Sequence, residues 1–564
     1  MKTMCHLFRI FTMFVSFTVL CGGAFANDLL IILPYDSTYV DTRSDPQWIE
    51  IGEMFANYKN RTGLDARAIT LEDVKRWEEG ADEAEQVKRT IHRFVRDQGT
   101  RYVMLVGDTG VFPIRQQFTG YTVAGDTFYE GESGAWLPTP RDYYRFFPTD
   151  AYFANLWADD AMPDTFDTWN ANGNHLFGEM YNDALRSEDD FSIHPDVAVG
   201  RVLADTPNEF FDYFVKVMRF ETRIGDYAGE QAVLLTAGAI YGSVDSIREL
   251  APFFDSGHNV TQLWRTDPDY QYDGDFGTGR TDDPAGYIEE FFNFYLPHFV
   301  HYAGHGNSDS WAEPGLDTAG VLALGNHSIP AIVTASACNT ARFAQRQQTT
   351  SKPVAAPADL DEDGMAEAWT TQAMGGGVVY IASTTGIILP IGHDLWPPFY
   401  SAIFDDGIVA IGDAFRQAIV SYIDENGLER YPDTGSWHED ATWPDSSGGF
   451  YQGSVGSFAP AVTTLLFGDP SLRIQGVDYL LTPPTTRAEF RRWVNGVDLG
   501  VGSEYLHEVI FHASDEETRV SATYWKAQEM PDGPWSAFQE ESVAQIPIDL
   551  SSVNEGDQLL FSYY

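Results

Sequence analysis

Two stretches of this chain carry residue types that can do nucleophilic chemistry. Phe299-Val300-His301-Tyr302-Ala303 runs into Gly304-His305-Gly306-Asn307, and Ile332-Val333-Thr334-Ala335-Ser336-Ala337 runs into Cys338-Asn339. A free thiol is mostly protonated at neutral pH, and a neighbouring imidazole converts it to the nucleophilic thiolate. Attack on a peptide carbonyl then creates an oxyanion that needs two fixed N–H donors, for which the backbone amides of Gly306 and Cys338 are the candidates. Taken singly, each residue reads more readily as a core histidine or a core cysteine. Both end an apolar strand, however, and in a parallel sheet such loops emerge on one edge. The pair therefore reads as nucleophile Cys338 and general base His305.

The cysteine count sharpens this reading. The chain contains Cys5, Cys21 and Cys338. Lys2 and Arg9 flank the start of an apolar stretch, Ile10 to Leu20, that leads to Ala24-Phe25-Ala26, the order of a secretory signal peptide over residues 1–26. The apolar run is short for a bilayer span, and no later segment is long and apolar enough for one. Export leaves Cys338 as the single thiol, either buried and inert or reactive. The expected location is secreted, whether extracellular, periplasmic or on the cell surface. The net charge of −48 disfavours nucleic acid and anionic membranes and suits calcium, although solubility alone also accounts for it.

The elements that position the pair follow a βαβ rhythm. Leu29–Leu33 reads as a strand, Trp48–Arg61 as a helix stopped at Gly63, Ala84–Gln98 as a helix and Tyr102–Val106 as a buried strand. A loop-rich stretch over 116–190 precedes a strand at Val197–Arg201 and a helix opened by Thr206-Pro207. A second α/β unit carries strands at Val233–Ala237, Phe299–Tyr302, Ala331–Ala337 and Val378–Ser383, with a helix at Ile411–Ile423. Past Pro483-Pro484 the pattern alternates, as in Val520–Trp525 and Leu559–Tyr563, which reads as a small β-sandwich. The expected division is 27–228, 229–475 and 476–564 after the signal segment.

The motifs around His305 and Cys338 resemble the gingipain family of cysteine peptidases. So do Phe55–Leu64, Tyr102–Asp108, Val199-Gly200-Arg201, Ala366-Glu367-Ala368-Trp369, Ile411-Gly412-Asp413-Ala414-Phe415 and Phe467-Gly468-Asp469-Pro470-Ser471-Leu472, in the family's order over about residues 28–475. The resemblance implies a caspase-like α/β core of two parallel-sheet subdomains with flanking helices, followed by an immunoglobulin-like domain. It also implies an endopeptidase acting on protein or peptide substrates through a Cys338–His305 dyad and a thioester. Gingipains orient the histidine with an upstream acid and bind a basic side chain with another. Here Gly238-Ala239-Ile240-Tyr241-Gly242 follows the strand without a carboxylate, and the specificity-pocket tryptophan is replaced near Leu389. Asp245 is the nearest acid, either orienting or specificity-determining, or a helix N-cap ahead of Ile247.

Asp359-Leu360-Asp361-Glu362-Asp363-Gly364-Met365-Ala366-Glu367 matches the start of a calcium loop, with Thr370 where a bidentate acid is expected. Asp359, Asp361, Asp363, Met365 and Glu367 are the candidate ligands of a structural calcium; a solvated acidic loop is the alternative. Asn170-Ala171-Asn172-Gly173-Asn174 is a weaker match. No cofactor is expected for the chemistry, and the oligomeric state is not readable. Two other functions compete with hydrolysis: a catalytically silent calcium-bound surface or adhesion module, and a transpeptidase.

Overall fold

The computed structural model describes residues 27–118, 146–158, 165–171, 191–223, 231–238, 242–254, 257–266, 271–274, 284–313, 315–326, 329–344, 364–373, 375–387, 392–426 and 460–477, a few isolated residues besides, and a set of strands between Thr485 and Tyr563. The signal-like residues 1–26, the acids Asp359, Asp361 and Asp363, and Leu389 lie outside the described residues.

In chain order the strands are β1 (Leu29–Leu33), β2 (Ala66–Thr70), β3 (Tyr102–Val106), β4 (Gln116–Phe118), β5 (Phe146–Pro148), β6 (Ala198–Val202), β7 (Gln231–Ala237), β8 (His258–Thr266), β9 (Gln271–Gly274) and β10 (Phe299–Gly304). There follow β11 (Gly306–Asn307), β12 (Ser310–Trp311), β13 (Leu316–Asp317), β14 (Ala331–Ala337), β15 (Gly377–Ser383) and β16 (Thr464–Gly468). Eleven of them make one sheet in the order β2-β1-β3-β6-β16-β15-β14-β10-β7-β8-β9. The two α/β units expected from the sequence are thus halves of a single sheet, joined where Phe467 of β16 meets Arg201 of β6. β16 runs antiparallel to β15 and meets β6 at that single residue pair.

Apolar runs explain the central strands. Every residue of β1, β3, β14 and β15 is buried, as a strand covered on both faces requires. The covering helices are α1 (Gln47–Arg61), α2 (Leu71–Trp77), α3 (Glu83–Gln98), α4 (Ala151–Ala154), α5 (Pro207–Arg223), α6 (Ser243–Leu250), α7 (Pro284–Tyr295), α8 (Thr318–Leu322), α9 (Met365–Thr371), α10 (Trp396–Phe404) and α11 (Ile411–Glu425). α3 shows why the expected boundaries hold within a residue or two. Asp82 caps its start by accepting from Glu85 N–H at 2.8 Å, and Gly99 ends it at φ 72°, where a left-handed residue terminates the helix.

Buried charge ties the halves together. Lys59 of α1 donates to Glu221 of α5 at 2.8 Å and lies 2.6 Å from Asp469 after β16, all three side chains fully buried. Burial opposes the Lys59 charge, yet the pull of Asp469 and Glu221 outweighs it and raises its pKa. Arg201 grips Asp150 through Nε and Nη2, both at 2.7 Å, and donates to Gly107 O at 3.0 Å. A bidentate, fully hydrogen-bonded guanidinium is the form in which burying such a charge is tolerable.

The C-terminal part is all-β. Thr485–Arg491, Glu508–Ser514 and Ala544–Pro547 form one antiparallel sheet; Thr523–Glu529, Gln539–Glu541 and Leu559–Tyr563 form another. This agrees with the alternating pattern, without defining an immunoglobulin-like pairing of the two sheets. The strand expected to begin at Val520 begins at Thr523.

Lys88 of α3 is fully buried, with Nζ 4.2 Å from the Tyr152 ring centroid and 5.5 Å from those of Phe166 and Trp169. Burial pulls its pKa down to about 7, against the attraction of Asp167. Between that value and the unfolded value near ~10.5 the unfolded chain binds the proton and the folded one does not, so Lys88 costs stability as pH falls, by at most about 1.4 kcal/mol per unit. Lys88→Met is expected to be more stable than wild type at pH 7, with the gap closing towards pH ~10. Urea unfolding of both proteins at pH 7, 8.5 and 10 measures it. A gap that does not change with pH would show that Lys88 does not titrate in this window.

Candidate active site

The position of His305 against Cys338 is set by the ladder between β10 and β14. These strands are parallel neighbours, with Gly304 opposite Ala337, and His305 and Cys338 are each one residue further on. Adjacent strands lie ~5 Å apart, so the chain leaves the two strand ends side by side at one edge of the sheet. The parallel pairing expected of these two strands is present. Inside the ladder, His301 Nδ1 bonds Thr334 Oγ1 at 2.8 Å across the pair His301–Thr334, and Thr334 Oγ1 bonds Tyr400 OH at 2.9 Å. Burial holds the His301 imidazole well below its ordinary pKa, hence neutral.

Cys338 is half-buried and His305 exposed. The thiol donates to Ile387 O at 3.2 Å and receives Ile387 N–H at 3.4 Å. Asn339 follows at φ 59°, in the left-handed region that asparagine tolerates better than most residues. The chain reverses there and is pinned to the end of β15, Asn339 N–H to Thr385 O at 2.9 Å and Ala341 N–H to Ser383 O at 3.0 Å. The nucleophile candidate thus sits on a sharp, anchored turn.

After His305 the chain enters a small hairpin that the sequence reading missed, because strands of two residues leave no periodic pattern. β11 pairs with β12 and β12 with β13. Trp311 anchors it, fully buried, stacked on Tyr302 at 4.7 Å with its Nε1 donating to Tyr380 OH at 3.3 Å. His305 O accepts from Tyr302 OH at 2.6 Å and Ala312 N–H at 3.0 Å, which fixes the backbone of the base candidate. Gly306 passes close to the nucleophile: an added Cβ would stand 2.8 Å from Cys338 O and 3.0 Å from Ala337 Cβ, and would overlap the Thr340 methyl.

The other candidates fall elsewhere. Asp245 lies exposed in the first turn of α6, whose N-cap is Gly242 at φ 87° with no side-chain capping bond. The helix-cap reading of Asp245 is therefore corrected: the left-handed glycine makes the turn, and Asp245 falls three residues in. Met365 is the first residue of α9 and donates its N–H to Ser308 O at 2.7 Å. Thr370 is buried with its hydroxyl bonded to Ala366 O at 2.8 Å. Glu367 comes together with Asp108 and Asp205, their carboxylate oxygens within 4.8 Å of one another, a grouping the sequence did not disclose because the three lie on separate elements. Much of Asn170–Asn174 lies outside the described residues. Among the described residues no helix is long and apolar enough to cross a membrane.

Gly306→Ala is expected to lower peptide hydrolysis by about 100-fold, the scale of losing one oxyanion donor, because the Cys338 carbonyl cannot move aside without shifting the turn. Initial rates together with a melting curve check it. Full activity in a folded variant would show that this close approach does not matter.

Residues 26–475 match peptidase family C25. Among solved structures, the Arg-specific cysteine proteinase gingipain R (RgpB) is 14% identical over 96% of this chain and 95% of that chain, with a TM-score of 0.49. The complex of Porphyromonas gingivalis RgpB pro- and mature domains is 14% identical over 95% and 96%, again with a TM-score of 0.49. Dimeric latent PorU from Porphyromonas gingivalis is 13% identical over 95% of this chain and 39% of that chain, with a TM-score of 0.30. A search of curated proteins returns no match.

Proposed function

The chain belongs to peptidase family C25, the gingipain family, which makes it a cysteine-type peptidase, and we propose that it is a secreted endopeptidase working through Cys338 and His305. The observation that supports this reading is the register of β10 on β14, in which Gly304 and Ala337, the residues before His305 and Cys338, lie opposite each other.

His305 takes the Cys338 proton as Sγ attacks the carbonyl carbon of the scissile bond. The N–H groups of Gly306 and Cys338 hold the oxyanion. Collapse breaks the C–N bond, and His305 returns the proton to the departing amine. This leaves a thioester on Sγ. Water, deprotonated by His305, attacks the thioester; the acid product leaves and the proton returns to sulfur. The thiol is held by Ile387 O in the free enzyme, so substrate entry exchanges that bond for the imidazole. No metal or cofactor has a role in these steps, and calcium in the Asp359–Glu367 loop would be structural.

Export rests on the expected signal segment. The non-catalytic adhesion reading gains no support from family membership. Transfer of the acyl group to an amine in place of water would use the same steps, and sequencing the products from a mixed peptide library separates cutting from ligation.

Cys338→Ala and His305→Ala are each expected to lower kcat/KM by at least about 1000-fold with the melting temperature held. Iodoacetamide should label wild type at pH ~6 faster than free cysteine, and the His305 variant should lose that advantage. Retention of most activity by either variant would overturn the dyad.

A further inference from the structure

We infer that Glu313 is the positioning carboxylate for His305, an inference that rests on the Cys338–His305 reading above. No acid follows β7 in the sequence, where an orienting carboxylate is expected. The fold delivers one there from elsewhere. A Cβ built on Gly238, the residue after β7, would overlap Glu313 Oε2 and stand 3.2 Å from Glu313 Cβ and 3.4 Å from its Cδ. The carboxylate therefore lies directly on the Gly238 backbone, in space that only glycine leaves open.

The order of strands gives that position its meaning. β14, β10 and β7 are successive neighbours, and Gly238 N–H donates to Ala303 O at 2.8 Å. Their ends run Cys338, His305, Gly238 along one edge of the sheet. The thiol flanks the histidine on one side and the Glu313 carboxylate on the other, the sequence of nucleophile, base and acid that an imidazole relay needs. Glu313 is also coupled to His305 through the backbone. The adjacent Ala312 donates its N–H to His305 O at 3.0 Å, and Trp311 before it is locked in the core. The hairpin thus carries base and acid as one unit.

A carboxylate beside the imidazole stabilises the imidazolium formed when Cys338 gives up its proton, and it holds the ring in one orientation. Asp245 lies exposed in the first turn of α6.

The test compares Glu313→Gln, Glu313→Asp and Gly238→Ala in the full chain, with Cys338→Ala as the inactive reference. For Glu313→Gln, kcat should fall about 100-fold with KM nearly unchanged, and the alkaline limb of the kcat/KM profile should move to lower pH. The sign follows because the lost negative charge had favoured the imidazolium. Glu313→Asp should restore part of both. Gly238→Ala keeps every charge but displaces the carboxylate, so it should shift the same limb and add little to Glu313→Gln when combined. An unmoved profile and unchanged kcat in Glu313→Gln, while Cys338→Ala is inactive, overturns the inference and leaves the dyad standing. A rise in KM confined to substrates with basic side chains overturns it too, in favour of a specificity carboxylate. Activity surviving in Cys338→Ala instead overturns the dyad on which the inference rests.

Discussion

The parallel ladder between β10 and β14 is the constraint on which the placing of His305 and Cys338 depends. A one-residue slip would reverse every side chain of one strand and move His305 off its neighbour. Two features prevent the slip. Apolar residues alternate between the two faces, Val300, Tyr302, Val333 and Ala335 packing on one side, Phe299, Ala303 and Ile332 on the other. The polar pair His301–Thr334 sits at a matched position, and its chain of hydrogen bonds to Tyr400 would be broken by any other register. Buried polar groups are costly when unpaired, so this pin selects one alignment among several apolar ones.

The edge so defined is held from three sides. β15 anchors the turn after Cys338 through Thr385 and Ser383. The hairpin after His305 is nailed by Trp311 into the aromatic layer of Tyr302, Trp369 and Tyr380. β16 then closes the half-sheet in the opposite direction and passes the chain to Asp469, which joins Lys59 and Glu221. Glu221 is pushed up in pKa by burial, with Asp469 adding to it and Lys59 opposing. Two carboxylates around one ammonium are stable only while all three stay in place, which makes the triad a demand on how the halves meet rather than a large source of stability. The loops after β3 and β6 meet the first turn of α9 at Glu367. Asp108 and Asp205 stand in those loops.

Sequence alone determined the strands and helices that have strong periods, the alternating C-terminal pattern, and the presence of a cysteine and a glycine-flanked histidine at two strand ends. Those features are local: side chains within a few residues decide burial, capping and turn formation. Strand order was not local. β16 lies between β6 and β15 through pairings across many residues, so two apparent units proved to be one sheet. The hairpin of β11, β12 and β13 was invisible because its strands are too short to alternate, and with it went Glu313. An orienting acid is expected along the chain after β7, whereas a carboxylate reaches Gly238 from 75 positions further on. Asp245 drew attention by nearness in sequence and turned out to face solvent. Which residues could react was written in their types; which of them meet was decided by register, since a sheet sets distances between strands that the order of residues does not contain.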